Sequence, residues 1–306
     1  IHTNQFDYQS CVCYLQVNFM NQLNLFIDLT RLKRPIGYML LFWPCAWGLT
    51  LAFDFSNNLE LYFFYLLLFF LGSVLMRSAG CIVNDIVDKE FDKKVSRTKN
   101  RPIASGKISV MFGLFYATIL CLLALCVLIN FNILTILLAL GSMPLAFTYP
   151  LMKRYTYWPQ LFLGITFNYG LILAWTSFNN EINLPPIIFY FGAIFWTLGY
   201  DTIYGFQDIK DDEIIGLKST SIKFKSSPKK FLIICYSIFL ISLFITGFLI
   251  NLNSFYFIIL TIVVLQMYYF QIYKLNIKKT KSCLNIFKSN NILGLLVFVS
   301  LFIGKI

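Results

Sequence analysis

The chain has 306 residues, of which 58% are hydrophobic and only 13% are charged. Soluble domains carry about 25% charged residues, so this composition excludes a soluble globular fold and indicates a polytopic membrane protein. The formal net charge of +11 is distributed between apolar runs rather than gathered in one domain, and no nucleic-acid partner is expected.

The N-terminal segment differs from the rest of the chain, because residues 1–30 contain no Lys or Arg. This distinguishes them from an Arg-rich transit peptide and from a signal peptide with a basic start. We expect residues 1–30 to be an extension of unknown role and residues 31–306 to form a single transmembrane domain. His2, Cys11 and Cys13 lie in the extension and indicate no site. The lack of a transit-like start favours a bacterial inner membrane, with a mitochondrial inner membrane second.

Nine apolar runs follow, and each is a candidate membrane helix. They cover residues 36–53, 61–83, 108–129, 131–149, 158–177, 185–205, 231–250, 255–273 and 289–304. The last run is the shortest. The predicted fold is therefore an all-α bundle of about nine transmembrane helices around a central cavity. Eight cysteines include no CxxC pair and lie mostly within apolar runs, so neither a disulfide frame nor a zinc site is expected.

Basic residues divide the connections between the runs into two sets. Of the 25 Lys and Arg residues, 23 lie before the first run or after the second, fourth, sixth and eighth runs. The opposite connections contain Asp54, Glu60 and Glu181 but no Lys or Arg. By the positive-inside rule, the basic connections face the cytoplasm or the matrix of an organelle. The net charge thus reflects topology, with anionic lipid and substrate phosphate as secondary partners.

The connection after the second run begins with an acidic segment. Asp85, Asp88 and Asp92 are spaced at i, i+3 and i+7, which places three carboxylates on one face of a helix. Neighbouring carboxylates repel each other unless a cation binds them, and Mg²⁺ is commonly held by carboxylates together with substrate phosphates. Basic residues follow directly and are candidates for holding phosphate oxygens: Arg97, Lys99 and Arg101.

A second acidic segment follows the sixth run, and the two segments hold nine of the 14 acidic residues. The residues near one helical face are Asp201, Tyr204, Asp208 and either Asp211 or Asp212. Asp201 lies close to the membrane interface, where an ionised carboxylate is usually functional. Two carboxylate clusters on the same membrane face predict one site that holds more than one Mg²⁺ and clamps a diphosphate.

Arg77 is an unusual charge inside the second run. It precedes Asn84 by seven residues, or about 10 Å along a helix. One interpretation is that it reaches a diphosphate or an acidic partner. The other is that its side chain extends to the interface to solvate its charge, and the sequence does not choose between them.

Four motifs in this order resemble those of the UbiA superfamily of intramembrane aromatic prenyltransferases. They are NDxxDxxxD at residues 84–92, RTxxRPxxxG at 97–106, YxxxK at 149–153 and DxxxD at 208–212. RPIG at residues 34–37 and MRSAGC at 76–81 are similar to the branch of the superfamily that acts on hydroxybenzoate. The resemblance covers about residues 31–304, whereas the first 30 residues match no motif of the family.

The resemblance implies transfer of a polyprenyl group from polyprenyl diphosphate to the ring of 4-hydroxybenzoate, at the 3-position, in the membrane part of ubiquinone biosynthesis. It implies Mg²⁺ as cofactor, with ligands among Asp85, Asp88, Asp92, Asp208, Asp211 and Asp212. The residues expected to bind substrate are Arg34, Asn84, Arg97, Lys99, Arg101 and Tyr204. The residues expected to act at the reacting groups are Asp201, Tyr149, Lys153 and Arg77. Arg34 or Arg77 is a candidate for the benzoate carboxylate, and Asp201 for orienting or deprotonating the acceptor.

Other functions are compatible with part of the pattern. A sibling prenyltransferase that acts on a naphthoate, on homogentisate or on heme shares the aspartate motifs. A cation transporter also carries intramembrane acids, but here the acids cluster at one face and leave the opposite half of the bundle without ionisable relays. Soluble isoprenoid synthases use aspartate-rich Mg²⁺ sites too, and the nine apolar runs exclude that architecture.

Overall fold

The computed structural model describes residues 21–56 and 58–306, and the described residues form helices, turns and loops without a β-strand. His2, Cys11, Cys13 and the rest of residues 1–20 lie outside the described part. We number the nine long helices α1 to α9. They are α1 Ile36–Ala52, α2 Leu59–Val87, α3 Val110–Leu128, α4 Ile133–Thr148, α5 Pro159–Asn179, α6 Leu184–Gly205, α7 Pro228–Leu249, α8 Ser254–Leu265 and α9 Thr280–Lys305.

Short elements extend or connect these helices. A 3₁₀ turn, Tyr149–Leu151, and one further helical turn, Met152–Tyr155, follow α4, and a π-helix, Gln266–Tyr273, continues α8. The acidic segments contain the short helices Lys89–Asp92 and Ile209–Ile215. A further short helix, Thr220–Lys223, precedes α7.

Each of the nine predicted apolar runs corresponds to one of the nine long helices of the described chain. Seven of them, with the extensions of α4 and α8 included, are long and apolar enough to cross a membrane. The exceptions are α1, which is apolar but has 17 residues, and α6, which has 22 residues but includes Asp201 and several Tyr and Gly residues. The prediction of an all-α membrane bundle is confirmed.

The last helix begins at Thr280, well before residue 289, where the apolar run begins. The polar residues of its first turns include Lys281, Asn285 and Lys288, which are exposed, whereas polar side chains further along the helix are satisfied inside the bundle. Asn290 is fully buried and accepts a hydrogen bond from Nε1 of Trp196 at 2.8 Å. Gln271 Nε2 also donates to Asn290 at 3.1 Å. Hydropathy alone underestimates such a helix, because the partners of its polar groups lie on other helices.

Trp47 on α1 lies at the centre of the bundle and is fully buried. The centroid of its ring lies 5.4 Å from that of Phe189 and 5.0 Å from that of Trp196, both on α6. Its Nε1 donates a hydrogen bond to the backbone oxygen of Gly294 on α9 at 3.0 Å. Because a buried indole N–H requires a partner, this contact helps to fix α1 between α6 and α9.

Residues 21–30 are helical and pack beside the bundle. Leu29 is fully buried and belongs to an apolar cluster with Ala79 and Ile82 of α2 and Leu120 of α3. The chain then turns at Arg31, whose φ of 58° is in the left-handed region. This turn directs the chain toward the start of α1. The boundary predicted at residue 31 stays a prediction.

Close packing of α1 on α5 depends on Gly48. A Cβ added at residue 48 would collide with the backbone oxygen of Leu171 and lie 3.0 Å from its Cα. We expect Gly48→Ala to lower the free energy of unfolding by about 2–3 kcal/mol, because backbone atoms cannot rotate away from the added methyl group. Thermal melting of the purified protein in detergent measures this change.

The matched control is Gly141→Ala on α4, where an added Cβ meets nothing within 4 Å. Its melting temperature should stay close to that of the wild type or rise slightly, because Ala favours a helix over Gly by about 1 kcal/mol. Equal melting of the two variants would contradict a steric role for Gly48.

Candidate active site

The two acidic segments line one polar cavity of 310 Å³ at the ends of α2 and α6. Asp88 and Asp92 face it from the first segment, and Asp208 and Asp212 from the second. The start of α1 and the end of α4 complete its wall. Carboxylates that are more than 100 residues apart in sequence thus share one cavity, as the two-cluster hypothesis requires.

The first acidic segment is not one uninterrupted helix. Helix α2 ends at Val87, and Asp88 has a φ of −94° and a ψ of 3° before the short helix Lys89–Asp92 begins. The expected single helical face is therefore broken at Asp88. Asp85 and Asp92 still lie close together, because Nη1 of Arg101 is 3.1 Å from Oδ1 of Asp85 and 2.8 Å from Oδ2 of Asp92.

Asp85 lies behind the cavity wall and is 1% exposed. Its Oδ1 accepts hydrogen bonds from both Arg31 and Arg101. The side chains of the two arginines are 21% and 19% exposed, and both line the cavity. One buried carboxylate therefore holds two guanidinium groups at the cavity surface.

Asp88 is paired on one side only. Its Oδ2 accepts a hydrogen bond from Nζ of Lys153 at 2.5 Å, whereas Oδ1 is buried without a hydrogen-bond partner and lies 4.0 Å from Nη2 of Arg154. Burial raises the pKa of Asp88, and the charge of Lys153 acts against this rise. A buried oxygen without a partner is unfavourable, and a cation or a donor from a ligand would satisfy it.

Direct contacts join the two acidic segments. Arg97 Nε lies 2.8 Å from Oδ1 of Asp208, and Arg97 Nη2 lies 2.5 Å from Oδ2. The backbone N–H of Ser96 donates to Asp211 at 3.3 Å. The bidentate geometry of the Arg97–Asp208 pair is specific as well as strong, so it holds the loop after α2 against the segment after α6.

In the second segment, Asp212 rather than Asp211 faces the cavity. Burial and the neighbouring charge of Asp208 raise the pKa of Asp212 to about 6. Asp201 and Tyr204, on the last turns of α6, also line the cavity. The spacing did not distinguish Asp211 from Asp212. In the structure Asp212 lines the cavity, whereas Asp211, in the first turn of the helix Ile209–Ile215, accepts a hydrogen bond from Ser96.

Arg77 lies where the polar cavity meets a second, apolar cavity of 590 Å³. Its Nε is buried without a hydrogen-bond partner, and its guanidinium carbon lies 5.3 Å from the centroid of the Phe167 ring. Arg77, Tyr149 and Phe167 line both cavities. The apolar cavity runs between α1, α2, α3, α4 and α5, and its aromatic lining includes Phe69 and Phe131. Arg77 is thus half-buried, with its Nε inside the bundle and its side chain in the walls of both cavities.

Thirteen of the sixteen predicted site residues line the polar cavity. The other three are Asp85, which is buried behind the wall, Asp211, which contacts Ser96, and Lys99, which is exposed. The sequence analysis counted Arg31 only among the basic residues that precede the first apolar run and did not predict its position at the site. No local spacing indicates its role, because its partner Asp85 is 54 residues away.

The residues fit Mg²⁺ in their chemistry. Carboxylate oxygens are the ligands that this ion prefers, and Oδ1 of Asp88 is buried without a partner. Among residues 21–56 and 58–306, no three acidic, His or Cys side chains form a ready-made metal cluster. Basic side chains separate the carboxylates, so Mg²⁺ at this site would need water or substrate oxygens to complete its coordination.

The chain is similar in sequence to known prenyltransferases. Residues 41–300 match the UbiA prenyltransferase family. The chain is 42% identical over 287 residues to a protein of Bos taurus named 4-hydroxybenzoate polyprenyltransferase, mitochondrial, and the match covers 92% of this chain and 75% of the relative. It is 37% identical to 4-hydroxybenzoate geranyltransferase 2 of Lithospermum erythrorhizon, with 96% and 94% of the two chains covered.

Solved structures have the same fold. A UbiA homolog from Archaeoglobus fulgidus bound to GPP and Mg²⁺ matches with a TM-score of 0.68 at 18% identity, over 91% of this chain and 98% of that one. A UbiA homolog from Aeropyrum pernix K1 also gives a TM-score of 0.68, at 21% identity over 88% and 97% of the two chains. At these identities the likeness concerns the fold alone.

Proposed function

The chain belongs to the UbiA prenyltransferase family, and from this premise we propose that it transfers a polyprenyl group from polyprenyl diphosphate to the ring of 4-hydroxybenzoate. The reaction is a membrane step of ubiquinone biosynthesis, and relatives with 37–42% identity carry hydroxybenzoate transferase names. The acceptor position is carbon 3, ortho to the phenol oxygen. The mitochondrial names of several relatives favour a mitochondrial inner membrane over the bacterial one.

One observation carries the proposal: a polar, acid-lined cavity lies next to an apolar cavity, and Arg77, Tyr149 and Phe167 line both. A polyprenyl diphosphate has the same two parts, a charged head and a long apolar tail. The 590 Å³ apolar cavity suits the tail, and the polar cavity suits the diphosphate. The bond that breaks joins these two parts, so it would lie near the residues that line both cavities.

The residues proposed to hold Mg²⁺ are Asp88 and Asp92 from one segment and Asp208 and Asp212 from the other, with Asn84 beside them. When bound, Mg²⁺ supplies positive charge that stabilises the diphosphate leaving group. Lys153, Arg101 and Arg31 donate hydrogen bonds to carboxylates now and line the cavity. The same donors are placed to bind phosphate oxygens, where charge-assisted hydrogen bonds are strongest.

Loss of diphosphate leaves an allylic cation, which water would destroy. The rings of Phe167 and Tyr149 line the junction of the two cavities. Aromatic faces stabilise a cation, and an apolar wall excludes water from it. The ring of the acceptor then attacks the cation, and loss of a ring proton restores aromaticity.

Arg77 is the stronger of the two candidates for the acceptor carboxylate. Its Nε is buried without a hydrogen-bond partner and lines the cavity, whereas Arg34 is exposed at the cavity mouth. Asp201 lies on the same wall. We assign Asp201 to the phenol side of the acceptor, where it would orient the hydroxyl group or accept its proton.

The direct test incubates membranes that contain the chain with labelled polyprenyl diphosphate, Mg²⁺ and 4-hydroxybenzoate. We expect a labelled prenyl-hydroxybenzoate, and removal of divalent metal by EDTA should abolish its formation. Transfer to a naphthoate, homogentisate or heme instead would identify a sibling enzyme. The absence of transfer to any acceptor would overturn the proposal.

Asp201→Asn tests the assignment at the acceptor. The amide cannot accept a proton, so we expect kcat to fall by about 10²-fold or more, in the range typical of a lost general base. The rate of diphosphate release measured in the absence of acceptor should change much less than kcat. Single-turnover assays with and without 4-hydroxybenzoate measure the two steps, and full turnover by the variant would refute the assignment.

A further inference from the structure

The last third of the chain has an unusual charge distribution. Glu213 is its final acidic residue, and the 93 residues that follow contain 11 Lys and no Asp, Glu or Arg. The lysines from Lys229 onward therefore have no acidic side chain within 15 residues in the sequence.

Six of these lysines gather at the ends of three helices. They are Lys229 and Lys230 at the start of α7, Lys274 after the π-helix, Lys278 and Lys279 in the next connection, and Lys281 at the start of α9. All six side chains are exposed. Within residues 21–56 and 58–306, none of them forms a salt bridge, whereas Lys225 pairs with Glu213. Their charges are not neutralised by the protein.

Two tyrosines stand among the lysines. Tyr269 and Tyr273 are 56% and 70% exposed, and their rings are stacked with centroids 5.7 Å apart at an angle of 11°. The two tyrosines lie four residues apart in the π-helix Gln266–Tyr273. The i→i+5 hydrogen bond from Lys274 N to Tyr269 O, at 3.3 Å, is the bond that defines a π-helical turn.

Two of the lysines contact the tyrosine rings directly. Lys274 Nζ lies 4.8 Å from the centroid of Tyr269, and Lys229 Nζ lies 5.8 Å from that of Tyr273. Lys229 also donates to the backbone oxygen of Tyr273 at 3.1 Å. We call the six lysines and two tyrosines the lysine–tyrosine surface. None of its residues lines the polar or the apolar cavity.

We propose that the lysine–tyrosine surface binds the headgroups of anionic phospholipids in the adjacent leaflet. Tyrosine rings at the end of a membrane helix lie at the level of the headgroups, and unpaired lysines beside them attract lipid phosphates. Charge complementarity selects an anionic lipid over a zwitterionic one. The surface is separate from the proposed active site, so this binding does not depend on the proposed reaction.

The test uses the full chain in nanodiscs with increasing fractions of phosphatidylglycerol in phosphatidylcholine. We expect the melting temperature to rise with the phosphatidylglycerol fraction, and the anionic lipid to be enriched among lipids that co-purify, as counted by mass spectrometry. The triple variant Lys229→Gln/Lys274→Gln/Lys279→Gln should weaken the preference at least tenfold, because each lysine near an anionic surface contributes about fivefold in affinity.

Matched variants make the result specific. The first control removes the same charge from three other exposed lysines, in the variant Lys33→Gln/Lys94→Gln/Lys107→Gln, and it should keep the lipid preference. The second control replaces Lys229, Lys274 and Lys279 with Arg, and it should also keep the preference. The melting temperature of each variant in nanodiscs of pure phosphatidylcholine shows whether that variant is folded. If the triple variant fails to fold there, Lys278→Gln/Lys279→Gln replaces it, because neither of these side chains makes a hydrogen bond or an ion pair in the described structure.

Three results would overturn the proposal. One is an unchanged lipid preference in the surface variants. Another is an equal loss of preference in the control triple variant, which would indicate net charge alone. The third is displacement of phosphatidylglycerol by millimolar inorganic phosphate, which would identify a site for free phosphate.

Discussion

Asp88→Asn is expected to reduce prenyl transfer by about 10²–10³-fold, the range seen when one electrostatic stabiliser of a leaving group or oxyanion is removed. The substitution removes the negative charge that the proposed site needs to hold a cation at Oδ1, the buried oxygen without a partner. It keeps an oxygen that accepts a hydrogen bond from Lys153, so the fold should survive. Initial rates at several Mg²⁺ concentrations measure the effect, and the variant should require more Mg²⁺.

The matched control for this experiment is Glu90→Gln. Glu90 lies two residues along the same segment, but its side chain is 71% exposed and pairs only with Lys93. Glu90→Gln should leave the rate and the Mg²⁺ requirement within about twofold of the wild type, because solvent screens an exposed ion pair of this kind. If both variants behave alike, the effect belongs to the net charge of the segment and not to Asp88.

Asp85→Asn is expected to act mainly on stability, although the motif places Asp85 beside the other aspartates. Its carboxylate is the shared partner of Arg31 and Arg101. Removing one partner from a buried ion pair costs about 3–5 kcal/mol. Because the two arginines are about one-fifth exposed, we expect a loss of roughly 2–3 kcal/mol in the free energy of unfolding.

Melting with and without Mg²⁺ separates an anchoring role from a ligand role. If Asp85 anchors the arginines, the variant melts lower in both conditions, and added Mg²⁺ raises both proteins by the same amount. If Asp85 is a ligand, only the stabilisation by Mg²⁺ is lost. Asp28→Asn is the control, because Asp28 and Lys33 are 3.9 Å apart and both are more than half exposed, and it should melt as the wild type does.

Local spacing predicted most of the acidic residues that line the polar cavity. Asp88 and Asp92 were identified at offsets of 3 and 7 from Asp85, and Asp208 and either Asp211 or Asp212 at offsets of 7 and 10 or 11 from Asp201. Asp88, Asp92, Asp208 and Asp212 all line one cavity. A helical turn fixes which neighbours lie close together, but the break at Asp88 and the end of α6 at Gly205 interrupt the single helical faces that these offsets assumed. The position of Asp85 behind the cavity wall, away from the other aspartates, was not predicted. It depends on Arg31, which lies in the turn after the packed helix of residues 21–30.

The sequence by itself determined the class of protein, the number of long helices and the residue types of the site. Apolar runs must form helices in a membrane, where each backbone group needs an internal partner, and the carboxylates must lie at the ends of those helices. Only the tertiary structure decided which charges meet. Arg97 pairs with Asp208 across 111 residues, and Arg77 lines both cavities. Contacts of this kind arise from helix packing, whose geometry depends on small residues such as Gly48 and leaves no local pattern in the chain.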